Sequence, residues 1–127
     1  MATLRDYGSI IRFSRDDGLK RCMGKVELAQ EMSHIFVNES LPKYLPSLIK
    51  GVQERDCLLV QKNAHGIKGG CGAIGFIRCM EMAYDLEKAA KENDYDRVKL
   101  IFPLLLDEIN EVSQLIKDGS YSENINN

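Results

Sequence analysis

Apolar residues recur at intervals of three and four along nearly the whole chain, the spacing that gathers them on one face of an α-helix. No segment alternates with the period of a strand, and no Asn-Gly or Asp-Gly pair lies between two alternating runs. The C-terminal pattern is the clearest. Val98, Phe102, Leu105, Ile109, Val112 and Ile116 predict a helix over 96–116, with Pro103 off the stripe and Gly119 at its end. Cys79, Ala83, Leu86 and Ala90 predict another over 76–91, and Asn93-Asp94 supplies the turn between the two. Upstream, Leu28, Met32, Ile35, Phe36, Leu41, Leu45, Leu48, Ile49 and Val52 line a long helix over 26–52, ended by Gly51. Pro42 and Pro46 each remove a backbone donor from it, so a kink or break is expected near Ser40. Ser14 and Asp17 resemble a capping box for a short helix over 15–23, with Gly24 at the position after its C-cap. Asp56 caps a helix that runs through a glycine-rich segment, 64–75.

These elements describe an all-α chain whose default architecture is an antiparallel four-helix bundle over 14–118, with one or two extra short helices at the N-terminus. Residues 1–13 form an extension whose Leu4, Tyr7, Ile10, Ile11 and Phe13 can pack as a helix or arm. Residues 119–127 read as a polar, disordered tail.

The chain has 127 residues, enough for one domain with its own core. Its net charge of −2 offers no bulk basic field for nucleic acid. No apolar run approaches the ~20 residues that span a bilayer, and the N-terminus has no signal-peptide core. A soluble, cytoplasmic, monomeric protein is expected, and Met1 with the polar tail favours a free-standing one. Cys22, Cys57, Cys71 and Cys79 form no C-x-x-C pair or zinc spacing and read as reduced, small apolar residues. Glu81, Asp85, Glu87, Asp107, Glu108 and Glu111 read as a solvated face; no Glu-x-x-His motif points to a di-metal bundle. His34 has no His or Cys at ligand spacing and reads as a surface or boundary residue.

The glycine segment carries the candidate chemistry. A helix loses roughly 0.8–1 kcal/mol for each glycine relative to alanine, so five glycines beside one of only two histidines need a reason other than stability. At about 100° per residue, Val60, Ala64, Ile67, Cys71 and Ile74 fall within roughly ±40° of one direction and face a core. His65 lies roughly 140° away from that direction and faces solvent. Its neighbours at three and four residues are Gln61, Lys62, Lys68 and Gly69, with Gly72 a turn further on. The glycines leave the face open to an incoming surface, and Leu58 adds an apolar rim at roughly 160°. Gly66 and Gly70 point elsewhere, at roughly 240° and 280°, where close packing against another helix would explain them. An exposed imidazole offers a nucleophilic nitrogen at cellular pH, and Lys68 can offset charge on phosphoryl oxygens. Gly70-Cys71-Gly72-Ala73-Ile74-Gly75 also spells G-x-G-x-x-G, but it has no preceding strand, and no Gly-Lys-Ser/Thr ending makes a P-loop.

Ala64-His65-x-Ile67-Lys68-Gly69-Gly70-Cys71-x-x-Ile74-Gly75 resembles the signature of histidine-containing phosphotransfer (HPt) domains, A-H-x-L-K-G-small-small-x-x-Φ-G. The likeness continues in 17–24, in 36–48 with its Leu41-Pro42, and in Leu86-Glu87 with the alanines that follow. It departs from the pattern at Gly66 and at Gly70-Cys71, where the family carries a bulkier residue and a Ser/Ala pair. The resemblance, over roughly 14–117, implies that His65 accepts a phosphoryl group from a receiver-domain aspartate and relays it to another response regulator receiver. By the match Lys68 supports the phosphate, Gly69 gives clearance and Gly75 starts the next turn. Gln61, Lys62, Leu58, Gly72 and Glu87 complete a docking face. The implied partners are receiver domains and a hybrid sensor histidine kinase, with Mg²⁺ on the receiver. No cofactor, metal or ATP-dependent kinase activity is expected of this chain. A non-catalytic helical module that binds receiver or kinase domains is the alternative, and the pairing of His65 with Lys68 argues against it.

Overall fold

The computed structural model describes residues 4–119; of the tail expected over 119–127 all but Gly119 lies outside them, as do the first three residues of the expected extension. The elements are a 3-10 turn at Tyr7–Ser9, then α1 (Arg15–Arg21), α2 (Val26–Ile35), a π-helical turn (Phe36–Ser40), α3 (Leu41–Gln53), α4 (Cys57–Ala73), α5 (Ile77–Lys91) and α6 (Tyr95–Asp118). No strand occurs among the described residues. α2, the π turn and α3 run on as one long rod, which forms a helical bundle with α4, α5 and α6.

The prolines do not break that rod. Pro42 lacks an N–H, so a regular α-turn would leave the Asn38 carbonyl without its donor. The chain widens instead, and the Leu41 N–H reaches back five residues to the Phe36 carbonyl. Pro42 and Pro46 are both exposed, on a side of the rod where a carbonyl left without its donor is open to hydration.

Four of the helix ends use the same closure. After α1, the Gly24 N–H donates to the Leu19 carbonyl at 2.7 Å and the Met23 N–H to Lys20 at 3.2 Å, the paired bonds of a Schellman cap. The same pair closes α3 (Asp56 to Gly51, Arg55 to Val52), α4 (Phe76 to Cys71, Gly75 to Gly72) and α5 (Asp94 to Ala89, Asn93 to Ala90). Each needs one left-handed residue, and these are Met23, Arg55, Gly75 and Asn93. Two sequence expectations change here. α1 ends at Arg21, with Met23 and not Gly24 in the first left-handed position. Gly51 does not end the long helix. It is buried within α3, where a Cβ would sit 3.1 Å from Val60, and it lets α3 and α4 approach closely. Ser14, Asp56 and Asp94 accept from the backbone N–H three residues on and cap α1, α4 and α6, so α6 starts at Tyr95, one residue before the expected Asp96.

The core runs through the bundle from Leu48, Val60 and Ile67 to Leu86, Leu105 and Ile116. Gly66 and Gly70 lie against the long rod. A Cβ on Gly66 would stand 2.5 Å from the Tyr44 ring, and one on Gly70 would stand 2.5 Å from the Phe36 ring. The missing side chains of α4 are replaced by aromatic rings, which is the close packing the sequence left to be identified.

Residues 4–13 strap across α5 and α6. Phe13 packs on Phe76 at 4.9 Å between centroids, and the Arg78 Nε–H donates to the Ile10 carbonyl at 2.9 Å. The Tyr7 hydroxyl donates to Asp85 at 2.6 Å, and Arg12 pairs with Glu108 at 2.9 Å. Burial, with the Asp85 bond, pushes the Tyr7 phenol well above its ordinary value. The solvated acidic face read from the sequence is thus overturned in part: Glu81 and Asp85 meet Arg5, Glu108 is buried under Arg12, and Glu87 pairs with side chains of α4. The arm that covers Glu81, Asp85 and Glu108 is distant in sequence, so helical spacing alone could not show it. Asp107 and Glu111 do face water.

Candidate active site

His65 stands on the outer face of α4 with its side chain 67% exposed, opposite the buried stripe of Ala64, Ile67 and Cys71. The nearest helix is α5, which places Glu87 beside it. Nδ1 of His65 lies 2.8 Å from Oε2 of Glu87, and Nζ of Lys68 donates to Oε1 of the same carboxylate at 2.7 Å. One carboxylate therefore joins two side chains that are neighbours on α4. Burial pushes the Glu87 carboxyl up. The hydrogen bonds and charges of Lys68 and His65 outweigh that push and hold it below its ordinary value.

An ionised carboxylate only accepts, so the proton of the contact belongs to His65 Nδ1. The neutral ring is then the Nδ1–H tautomer, and its lone pair sits on Nε2. The Lys68 ammonium also lies 5.6 Å from the centroid of the Tyr84 ring, so α5 holds it from two sides. Sequence reading did not identify Tyr84. Its one available signal is its position three residues before Glu87, on the same face of α5.

Two shallow grooves flank the ring. Leu58, Gln61, Lys62, His65 and Glu87 line one; Lys68, Tyr84, Glu87, Lys88, Lys91 and Glu92 line the other. Leu58 is 77% exposed and forms an apolar rim. Gln61 is half-buried and Lys62 exposed. Gly69 is exposed, and a Cβ there would meet nothing within 4 Å. Gly72 differs from expectation: it is buried, and its Cβ would sit 3.0 Å from Met80 Sδ. The Met80 side chain of α5 covers this position, so the open strip beside His65 stops short of Gly72.

His34 is exposed on α2, in a different element from His65. Among the described residues no cluster of three or more His, Cys, Asp or Glu side chains is arranged to hold a metal ion. No helix among them is long and apolar enough to cross a membrane. The four cysteines are free thiols, three buried and Cys57 half-buried.

The Hpt domain family model matches residues 27–115, which takes in the rod, α4 with the site, α5 and most of α6. The phosphorelay intermediate protein rdeA of Dictyostelium discoideum is 22% identical over 107 residues, which cover 84% of this chain and 42% of that protein. The chain thus spans less than half the length of that relative. No solved structure is a significant match. A match across most of the chain, on a helical bundle that carries an exposed histidine on α4, means that this protein belongs to the Hpt domain family.

Proposed function

We propose that this protein is a phosphorelay intermediate in which His65 accepts a phosphoryl group from a receiver-domain aspartate and passes it to another response regulator receiver. The observation that carries this reading is the bridge made by Glu87 between His65 Nδ1 and Lys68 Nζ. It fixes the tautomer with Nε2 as nucleophile and keeps an ammonium beside the ring. As the phosphoryl group moves, Lys68 offsets charge on its oxygens. Gly69 leaves the approach to His65 clear, and Leu58, Gln61 and Lys62 meet the partner around it.

The receiver supplies the Mg²⁺ and the acidic pocket; this chain contributes the imidazole and the cations around it. The group reaches the relay from a hybrid sensor histidine kinase, and the protein has no ATP-dependent kinase activity of its own. The bundle over 14–118 is the transfer unit, with the N-terminal strap packed on it, acting as a cytoplasmic monomer.

Incubation with a ³²P-labelled receiver domain tests this. The protein should gain an alkali-stable, acid-labile phosphoramidate, and a folded His65→Gln variant should gain none. Equal labelling of that variant, or no labelling of the wild type by any receiver of the same organism, refutes the reading and leaves a module that only binds.

A further inference from the structure

Glu87 touches His65 on the nitrogen that is not phosphorylated, and its effect extends beyond the resting ring. We propose that the Glu87 carboxylate keeps the proton on Nδ1 after His65 has been phosphorylated, so that the ring stays cationic and ready to give the group up. The inference rests on the role proposed above for His65.

The chemistry balances as follows. On arrival the Nε2 lone pair forms the N–P bond, the P–O bond to the donor carboxylate breaks, and its electron pair stays on that oxygen. Nδ1 keeps its proton, so the product is an Nε2-phosphoimidazolium. On departure an acceptor carboxylate oxygen bonds to phosphorus, the N–P bond breaks, and the electron pair returns to Nε2. With the Nδ1 proton in place the leaving group is neutral imidazole. Once that proton is lost to water the leaving group is imidazolate, a much stronger base that departs poorly. The group that holds the Nδ1 proton therefore sets the fraction of protein able to transfer.

Glu87 has the geometry for this. Its Oε2 is 2.8 Å from Nδ1, and its side chain is only 17% exposed. Lys68 on the other oxygen keeps the carboxylate ionised. An opposite charge in direct contact favours the charged form of a titrating group by about 1–3 pH units. The other titratable groups in the two grooves are Lys62 and Lys68 on α4, with Tyr84, Lys88 and Lys91 on α5 and Glu92 at its C-cap. The lysines oppose a cationic ring and Glu92 favours one, but Glu87 alone among them contacts Nδ1. His34 supplies an internal reference, since it is exposed and has no carboxylate in contact with its ring among the described residues.

The experiment phosphorylates the protein with potassium phosphoramidate, which labels exposed imidazoles without a partner, and titrates both rings by ¹H–¹⁵N NMR. Phosphorylated His65 should lose its ring proton about 1–2 pH units above phosphorylated His34 in the same molecule. Glu87→Gln, which can still accept from Nδ1 through its amide oxygen, should bring the two midpoints together. The same variant should pass its phosphoryl group to a receiver about tenfold more slowly at pH 8, with little change at pH 6. Equal midpoints for the two histidines in the wild type overturn the proposal, and so does a His65 midpoint that Glu87→Gln leaves in place. A receiver that fails to label His65 refutes the relay role, while the two titration midpoints still decide this inference.

Discussion

Gly69→Ala separates the stability of α4 from its use. The position is exposed, helical and followed by four more residues of α4, and a Cβ there meets nothing within 4 Å. The new methyl therefore gains helix propensity without any clash, which stabilises the fold by about 0.8–1 kcal/mol. For a domain of this size that is an increase in Tm of roughly 3–5 °C. Gly69 also lies one turn from His65, so the two Cβ positions would be neighbours, about 5–6 Å apart. A methyl there stands where a receiver must seat its aspartate against Nε2. A misplacement on the order of 1 Å at the reacting atoms costs about 100-fold in rate, so transfer should fall by roughly one to two orders of magnitude. Thermal unfolding by circular dichroism gives the first quantity, and rapid-quench transfer from a labelled receiver gives the second. A variant that is more stable but transfers at the wild-type rate would refute the clearance argument. A variant that is less stable would show that α4 is not an ordinary helix at Gly69.

Gly70→Ala should act in the opposite sense, since its Cβ would meet the ring of Phe36, which is 2% exposed and has no room to yield. Overpacking of about 1–3 kcal/mol exceeds the helix gain of about 1 kcal/mol, so denaturant midpoints should fall. Lys68→Ala should slow transfer by about tenfold or more, and it should also lower the urea midpoint at pH 7, because Glu87 loses the ammonium bonded to its Oε1. Arg12→Ala strands Glu108, which is 5% exposed, and should cost about 3 kcal/mol. Arg12→Met with Glu108→Leu should recover much of that loss in urea unfolding. The depressed Glu87 carboxyl adds stability above the ordinary glutamate range, and this is lost as pH falls through its folded-state value. Glu87→Gln should accordingly lower the urea midpoint at pH 7, with the gap to wild type closing by pH 3.

Helical spacing in the sequence was enough to lay out the elements, because each helix here buries one face and its apolar period survives even five glycines in one segment. Local chemistry likewise determined the caps at Ser14 and Asp56, where a side chain answers a backbone donor three residues away, while the same role of Asp94, read from the sequence only as part of a turn, came from the structure. It also put His65, Lys68 and Gly69 on one face of α4, since positions three and four apart must be neighbours there. Contacts between helices needed the tertiary structure. Glu87 is 22 residues from His65, and only the packing of α5 on α4 makes it the carboxylate that joins the histidine to the lysine. The Phe36 and Tyr44 rings explain Gly70 and Gly66, and the Met80 side chain over Gly72 removes it from the open strip. The arm that buries Glu108 and engages Asp85 comes from about eighty or more residues away. A helix's own period tells which way a side chain points, but what it meets depends on the placement of a neighbouring element, which local spacing does not encode.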